Sequence, residues 1–245
     1  MVQPKSLPHG PRLRRATRSC NLFFQAGYAT GFPVGSAAES HDSLVRIATM
    51  SSPRLILAST SPRRRALLAA AGVEFELGES GVAEERLADE PAAEFALRMA
   101  EEKALAVSRR AGGVLVLGAD TVVECGGAIL GKPRDHADAR RMLRTLSGRF
   151  HTVVTAFALA RDGRVAESRA IASRVRFREL GDDEIDAYIH SGEPMDKAGA
   201  YGIQAEGAGL VVEVEGERDN VMGLPVGEVL AALRRHAIAR RDGGS

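Results

Sequence analysis

The 245 residues are 44% hydrophobic and 27% charged, which excludes a chain disordered throughout. With 33 Lys and Arg against 32 Asp and Glu, the net charge is +1, so the total does not mark a protein built to neutralise a nucleic-acid backbone or coat an acidic membrane. Two cysteines, Cys20 and Cys125, exclude a disulfide scaffold and a four-ligand zinc site and point to reducing cytosol, and no apolar run approaches the roughly 20 residues that cross a bilayer.

Residues 1–50 carry prolines, glycines, serines and arginines without a sustained period of 2 or 3.6. Lys5, Arg12, Arg14, Arg15, Arg18 and Arg46 against Glu39 and Asp42 give this stretch +4 and leave −3 for the rest, an asymmetry hidden in the total. It reads as an N-terminal extension, either disordered or upstream of a true start at Met50. An acid-poor, Arg- and Ser-containing organelle transit peptide is the competing reading. Residues 51–245 read as the folded domain.

From Arg54 the chain alternates strand-like and helix-like segments, the pattern of an α/β domain. Arg54–Ala58 is a short apolar strand. Ser61-Pro62 then opens an Ala/Leu-rich helix that Gly72 stops. Pro91 opens a second helix predicted to run to Gly112-Gly113. The segment VLVLGADTVV, apolar on both faces, predicts a central strand, and Gly126-Gly127 turns it into a second strand, AIL. Asp135–Leu146 is a third helix. Phe150–Ala160 and Val165–Phe177 read as long strands joined at Asp162-Gly163, a hairpin signal. Asp182–Ile189, Leu210–Val214 and Val226–Arg241 follow as helix, strand and C-terminal helix. Long antiparallel strands beside a central one imply a mixed sheet.

Four places break local rules. Arg63-Arg64-Arg65 puts cations in a first helical turn, where the macrodipole favours anions; a bound phosphate would resolve the conflict, and a solvated basic patch is the plain alternative. Asp120-Thr121 lies inside an apolar strand, where an ionised carboxylate is costly without a metal, a cation or hydrogen bonds; the alternative is a strand that ends near Gly118. Gly126–Pro133 imitates a phosphate loop, but Pro133 stands where a magnesium-binding hydroxyl belongs. Lys132 then projects ahead of a proline. Ala198–Gly209 is Gly-rich with one amide, Gln204, able to donate and accept as the edge of a base requires.

LASTSPRRRALL, LGADTVV, ILGKPRDHADARRMLRTLSGRFHTVVTAFAL, GEPMDKAGAYGIQ and NVMGLP occur in that order over about Leu55 to Leu230. Together they resemble the Maf family of nucleoside triphosphate pyrophosphatases, once known as septum-formation inhibitors, and DKAGAYGIQ resembles the subgroup acting on dTTP and UTP. The resemblance implies an elongated mixed α/β sheet flanked by helices, in two lobes with a central cleft, similar to the inosine-triphosphate pyrophosphatases. It implies Asp120 as the catalytic acid or metal anchor, with Arg63, Thr121 and Gln204 at positions of substrate selection. Ser59, Glu84, Lys103 and Lys132 match the remaining polar cleft positions, with Glu84 and Lys132 joining Asp120 in catalysis. Glu85 beside Glu84 also fits the glutamate position. Ala205-Glu206 stands where the family usually has Gly-Leu, placing an extra acid near the base.

The chemistry these residues suggest is cleavage of a nucleoside triphosphate to monophosphate and pyrophosphate. Asp120 and Glu84 would hold Mg²⁺ or Mn²⁺, and Asp120 would orient or deprotonate water. Pyrophosphate would leave toward Arg63, Lys132 and Lys103. The role implied is housekeeping removal of modified pyrimidine triphosphates in the cytoplasm, with no nucleic-acid or membrane partner and with a homodimer left open. The competing functions are a non-enzymatic cell-division regulator or a nucleic-acid binder, but no recognition-helix motif or aromatic platform accompanies the arginines.

Overall fold

The computed structural model describes residues 55–238; the readings of residues 1–50 and of the helix beyond Ile238 lie outside the described residues. Strand β1 (Leu55–Ala58) leads through a three-residue loop into α1 (Pro62–Ala70). Ser61 caps that helix, its hydroxyl accepting from the Arg64 N–H at 3.5 Å, and Pro62 takes the first position, where no N–H is needed. Next come β2 (Glu76–Leu77), α2 (Ala92–Ser108), β3 (Leu115–Cys125), β4 (Ala128–Leu130), α3 (His136–Leu146), β5 (Phe150–Arg161), β6 (Arg164–Phe177) and α4 (Asp182–His190). Short 3₁₀ turns at Glu193–Asp196, Ala198–Ala200 and Ala205–Leu210 precede β7 (Val211–Glu215), α5 (Arg218–Met222) and α6 (Val226–Ile238).

Boundaries depart from the sequence reading where the backbone turns left-handed. The second helix stops at Ser108 rather than Gly112, and Gly112 and Gly113, at φ 34° and 69°, carry the chain into β3. Asp162 and Gly163, at φ 50° and 73°, form the expected tight hairpin between β5 and β6. The strand predicted at Leu210 begins at Val211, because the preceding residues wind into a 3₁₀ turn.

The sheet is mixed. Its order is β2-β1-β3-β5-β6-β7, with β4 also on β3. β1 is parallel to β2 and β3, and the remaining pairs are antiparallel. One face packs Met99, Ala100 and Ala104 of α2 against Val116, Val122 and Val154. The other packs Leu68, Val229 and Ala232 of α1 and α6 against Leu117, Phe157 and Leu159. A third cluster lies under α3 and α4, around Leu143, Phe177 and Ile185.

Two details of β3 position the site. Gly118 lets α2 sit directly on the sheet: a Cβ there would lie 2.3 Å from the Ala100 carbonyl and 2.7 Å from the Ala104 nitrogen. Pairing with β1 ends at Gly118, and pairing with β4 starts at Val123. Ala119–Val122 therefore form an open edge in the middle of the sheet, and sheet edges present unpaired backbone groups.

Candidate active site

A cleft of about 1030 Å³ opens at that edge. Its lining includes all eight residues singled out from the sequence: Ser59 after β1, Arg63 in the first turn of α1, Glu84 in the loop after β2, Lys103 on α2, Asp120 and Thr121 on β3, Lys132 after β4, and Gln204 ahead of the last 3₁₀ turn. The alternative that β3 ends near Gly118 is corrected. The strand continues to Cys125, with Asp120 paired to Ala156 and 7% exposed.

The burial of Asp120 is compensated by Lys103. The Lys103 Nζ donates at 2.6 Å to Asp120 Oδ1 and at 2.6 Å to Glu84 Oε1. Lys132 Nζ reaches Glu84 Oε2 at 3.3 Å. Two carboxylates thus converge on one ammonium with a second lysine at the rim. Burial pushes the Glu84 carboxyl up, but the hydrogen bond and charge of Lys103, reinforced by Lys132, outweigh it and hold the carboxyl at about 2. Of Glu84 and Glu85, Glu84 lines the cleft and Glu85 is not among the lining residues; the Glu85 backbone carbonyl accepts from Arg98.

The three arginines of α1 go to three different places. Arg65 is exposed. Arg63 donates to Asp196 at 3.1 Å across the rim. Arg64, which the sequence reading did not single out, turns inward: its Nε donates to the Gly223 carbonyl at 2.8 Å, one Nη to Ser59 Oγ at 3.2 Å and the other to Thr121 Oγ1 at 2.9 Å. Burial draws its pKa down, the charges of Asp120 and Glu84 oppose this and Arg63 adds to it; guanidinium stays a cation throughout. Helical spacing alone could not separate Arg64 from its neighbours, because the inward contact is to Gly223, the residue that caps α5 in a distant part of the chain.

The Gln204 segment is pinned from behind. The Gly202 N–H donates to the Tyr188 hydroxyl at 3.1 Å, that hydroxyl donates to Glu193 Oε1 at 3.2 Å, and the Glu206 N–H donates to Glu193 Oε2 at 3.2 Å. Tyr201 pairs its hydroxyl with His151 Nε2 at 2.7 Å, and both rings stack edge-on with Phe177. Burial lowers the His151 pKa to about 4, so the imidazole is neutral at physiological pH. Ala205 lines the cleft, whereas the Glu206 side chain, the expected extra acid, is exposed outside that lining.

Among the described residues no group of three or more His, Cys, Asp or Glu could hold a metal ion. The donor set nevertheless fits a hard cation. Asp120 and Glu84 both line the cleft and share the Lys103 ammonium through one oxygen each, and Mg²⁺ is commonly held by one or two carboxylates, with phosphate and water completing its shell. No described helix is long and apolar enough to cross a membrane.

Fold and cleft together define an α/β protein whose open central strand sets one buried acid, Asp120, and one exposed acid, Glu84, among preplaced cations, a site for a polyanionic ligand. The chain belongs to the family described as Maf-like protein, whose pattern matches residues 54–236. It is 49% identical over 189 residues to the dTTP/UTP pyrophosphatase of Geobacter sulfurreducens, covering 76% of this chain and 98% of that one. It is 52% identical over 186 residues to the dTTP/UTP pyrophosphatase of Anaeromyxobacter dehalogenans, covering 75% and 94%. Among solved structures, a dITP/XTP pyrophosphatase from Mycobacterium abscessus is 17% identical with a TM-score of 0.33, covering 76% and 96%, a likeness that carries no argument.

Proposed function

We propose that this protein hydrolyses pyrimidine nucleoside triphosphates, namely dTTP, UTP and their modified analogues, to nucleoside monophosphate and pyrophosphate in the cytoplasm. One observation carries the reading: Asp120 and Glu84 meet at Lys103, 2.6 Å from each, beside the open edge of β3, with Arg64 and Lys132 lining the same cleft. A triphosphate brings about four negative charges, and in-line attack on its α-phosphorus leaves the equatorial oxygens in need of fixed cations. Arg64 has five N–H donors and commits three of its N–H groups to the protein, which leaves two for phosphate oxygens. Lys132, 59% exposed at its side chain, is a mobile point charge suited to the departing pyrophosphate.

Asp120 and Glu84 would hold Mg²⁺ or Mn²⁺, which when bound supplies positive charge to the phosphate oxygens. Asp120 takes the proton of the attacking water while the water oxygen bonds to the α-phosphorus and the bond from that phosphorus to the bridging oxygen breaks. Lys103 holds the Asp120 carboxylate in place through its 2.6 Å contact. No covalent intermediate is needed. Gln204 faces the uracil or thymine edge, its amide matching a carbonyl and a ring N–H. The names of the relatives support this substrate class.

The test is incubation with ATP, GTP, CTP, UTP and dTTP, with and without Mg²⁺, with the products identified. The reading expects one pyrophosphate per UMP or TMP and at least a tenfold preference for UTP and dTTP, the scale of a well-matched polar contact. Release of inorganic phosphate with a nucleoside diphosphate, or equal rates across all bases, would overturn the reaction or the selectivity respectively.

A further inference from the structure

The hydroxyl chain behind Thr121 has a fixed direction. Thr155, on β5 beside Thr121, is fully buried and its Oγ1 lies 2.7 Å from the Asn220 carbonyl oxygen. A carbonyl only accepts, so the single proton of Thr155 is committed there. The 3.1 Å contact between the two threonine hydroxyls must then be a donation from Thr121 to Thr155. Arg64 donates to Thr121 at 2.9 Å and uses one of its lone pairs. Thr121 is partly exposed to the cleft, and what it has left is one lone pair.

Ser59 is polarised the opposite way. Its Oγ accepts from the Ser61 N–H at 3.3 Å and from Arg64 at 3.2 Å, so both lone pairs are used and its proton is free. The guanidinium of Arg64 is thus flanked by a hydroxyl that can only donate and a hydroxyl that can only accept. Ser59 and Arg64 suit phosphate oxygens. Thr121 repels them, and marks where an uncharged donor of the nucleotide must lie.

We infer that Thr155 is a positioning residue that fixes Thr121 as a pure acceptor, so that this wall of the cleft selects nucleotides presenting an O–H or N–H donor and rejects those presenting an acceptor. The inference rests on the nucleotide reading above and adds a specificity device to it. Two donors common to UTP and dTTP could satisfy it: the sugar 3′-hydroxyl, or the ring N3–H in place of its contact with Gln204. Paired analogues separate them, because 3′-fluoro-3′-deoxy-TTP replaces the sugar donor with a weak acceptor, and CTP replaces the ring N–H with a lone pair.

The experiment measures kcat/KM for dTTP against 3′-fluoro-3′-deoxy-TTP and for UTP against CTP, in the natural protein, Thr155→Val and Thr155→Ser. Thr155→Val leaves the Asn220 carbonyl satisfied by the Gly223 N–H at 3.0 Å, and it frees the Thr121 proton to turn toward the ligand. The expected result is a preference of about tenfold in one arm, the size of one neutral hydrogen bond gained against one mismatched. It should narrow at least about threefold in Thr155→Val and be kept in Thr155→Ser. Unchanged ratios in both arms for Thr155→Val, or no preference in either arm of the natural protein, would overturn the inference. If Thr155→Val does not fold, Thr121→Val carries the test: it removes the lone pair, and retention of the natural preference in it has the same meaning. Absence of any triphosphate turnover would instead strike the functional reading, and the ratio of binding affinities by calorimetry would still report on the hydroxyl chain.

Discussion

Asp120 and Thr121 are neighbours on one strand, yet strand alternation sends their side chains to opposite faces of the sheet, and the two faces solve different problems. On the α2 face, charge meets charge: Asp120, Lys103, Glu84 and Lys132 form a chain of ion pairs with contacts of 2.6 to 3.3 Å. On the α1 face, Arg64 organises neutral hydroxyls, the polarity of Thr121 being set by Thr155 further inside and that of Ser59 by the Ser61 N–H and Arg64 itself. The first arrangement can hold cations and move a proton but is indifferent to what the rest of the substrate looks like. The second is directional, which selectivity requires.

The sharpest way to break this division is Asp120→Asn. Turnover is expected to fall on the order of 10²- to 10⁴-fold, the scale of a lost general base, while the fold survives, because Lys103 keeps Glu84 as its partner. Near-natural turnover in that variant would remove Asp120 from the chemistry.

A stability titration comes next in size and isolates the base-side support. His151 is held neutral, with its pKa lowered from 6.5 to about 4. Between those values the unfolded chain binds a proton that the folded chain refuses, so this contribution is complete above pH 6.5 and is lost as pH falls toward 4. The expected loss is on the order of 3 kcal/mol, and His151→Phe should flatten it. Glu84 sits at about 2; its contribution is present above the ordinary carboxylate range and fades only in stronger acid, so the two are separable in one denaturation series. A flat profile between pH 6.5 and 4 would contradict the placement of His151.

Arg64→Lys removes the fork that joins Ser59, Thr121 and Gly223, and lysine cannot replace three fixed contacts. A fall in kcat/KM of roughly 10- to 10²-fold is expected, the size of charge-assisted hydrogen bonds, and it should exceed the effect of Arg63→Lys, since Arg63 pairs at the rim with an exposed Asp196. The reverse ranking would return the inner role to Arg63. The smallest effect belongs to Ala205, a non-glycine residue held at φ 51° beside Gln204. Ala205→Gly should stabilise by about 0.5 kcal/mol by relieving that strain, read as a raised denaturation midpoint with unchanged slope.

Much of this was legible in the sequence, for physical reasons. An aspartate within VLVLGADTVV is a conflict between burial and charge, and such conflicts announce themselves; so do three cations at a helix start. Thr155 announces nothing, since threonine is at home in a strand and HTVVTAFALA breaks no rule. Arg64 was hidden among its neighbours because its inward contact is to Gly223, in a distant part of the chain. Gly118 reads as a flaw in a strand until α2 is seen to need its missing Cβ. The two-residue β2 and five-residue α5 are too short to carry a period at all.

The central claim is that these groups direct water to the α-phosphorus. Hydrolysis of UTP in ¹⁸O-labelled water tests it most directly, with mass spectrometry of both products. The account predicts one labelled oxygen in UMP and none in pyrophosphate; label in the pyrophosphate would place the attack on the β-phosphorus and contradict it.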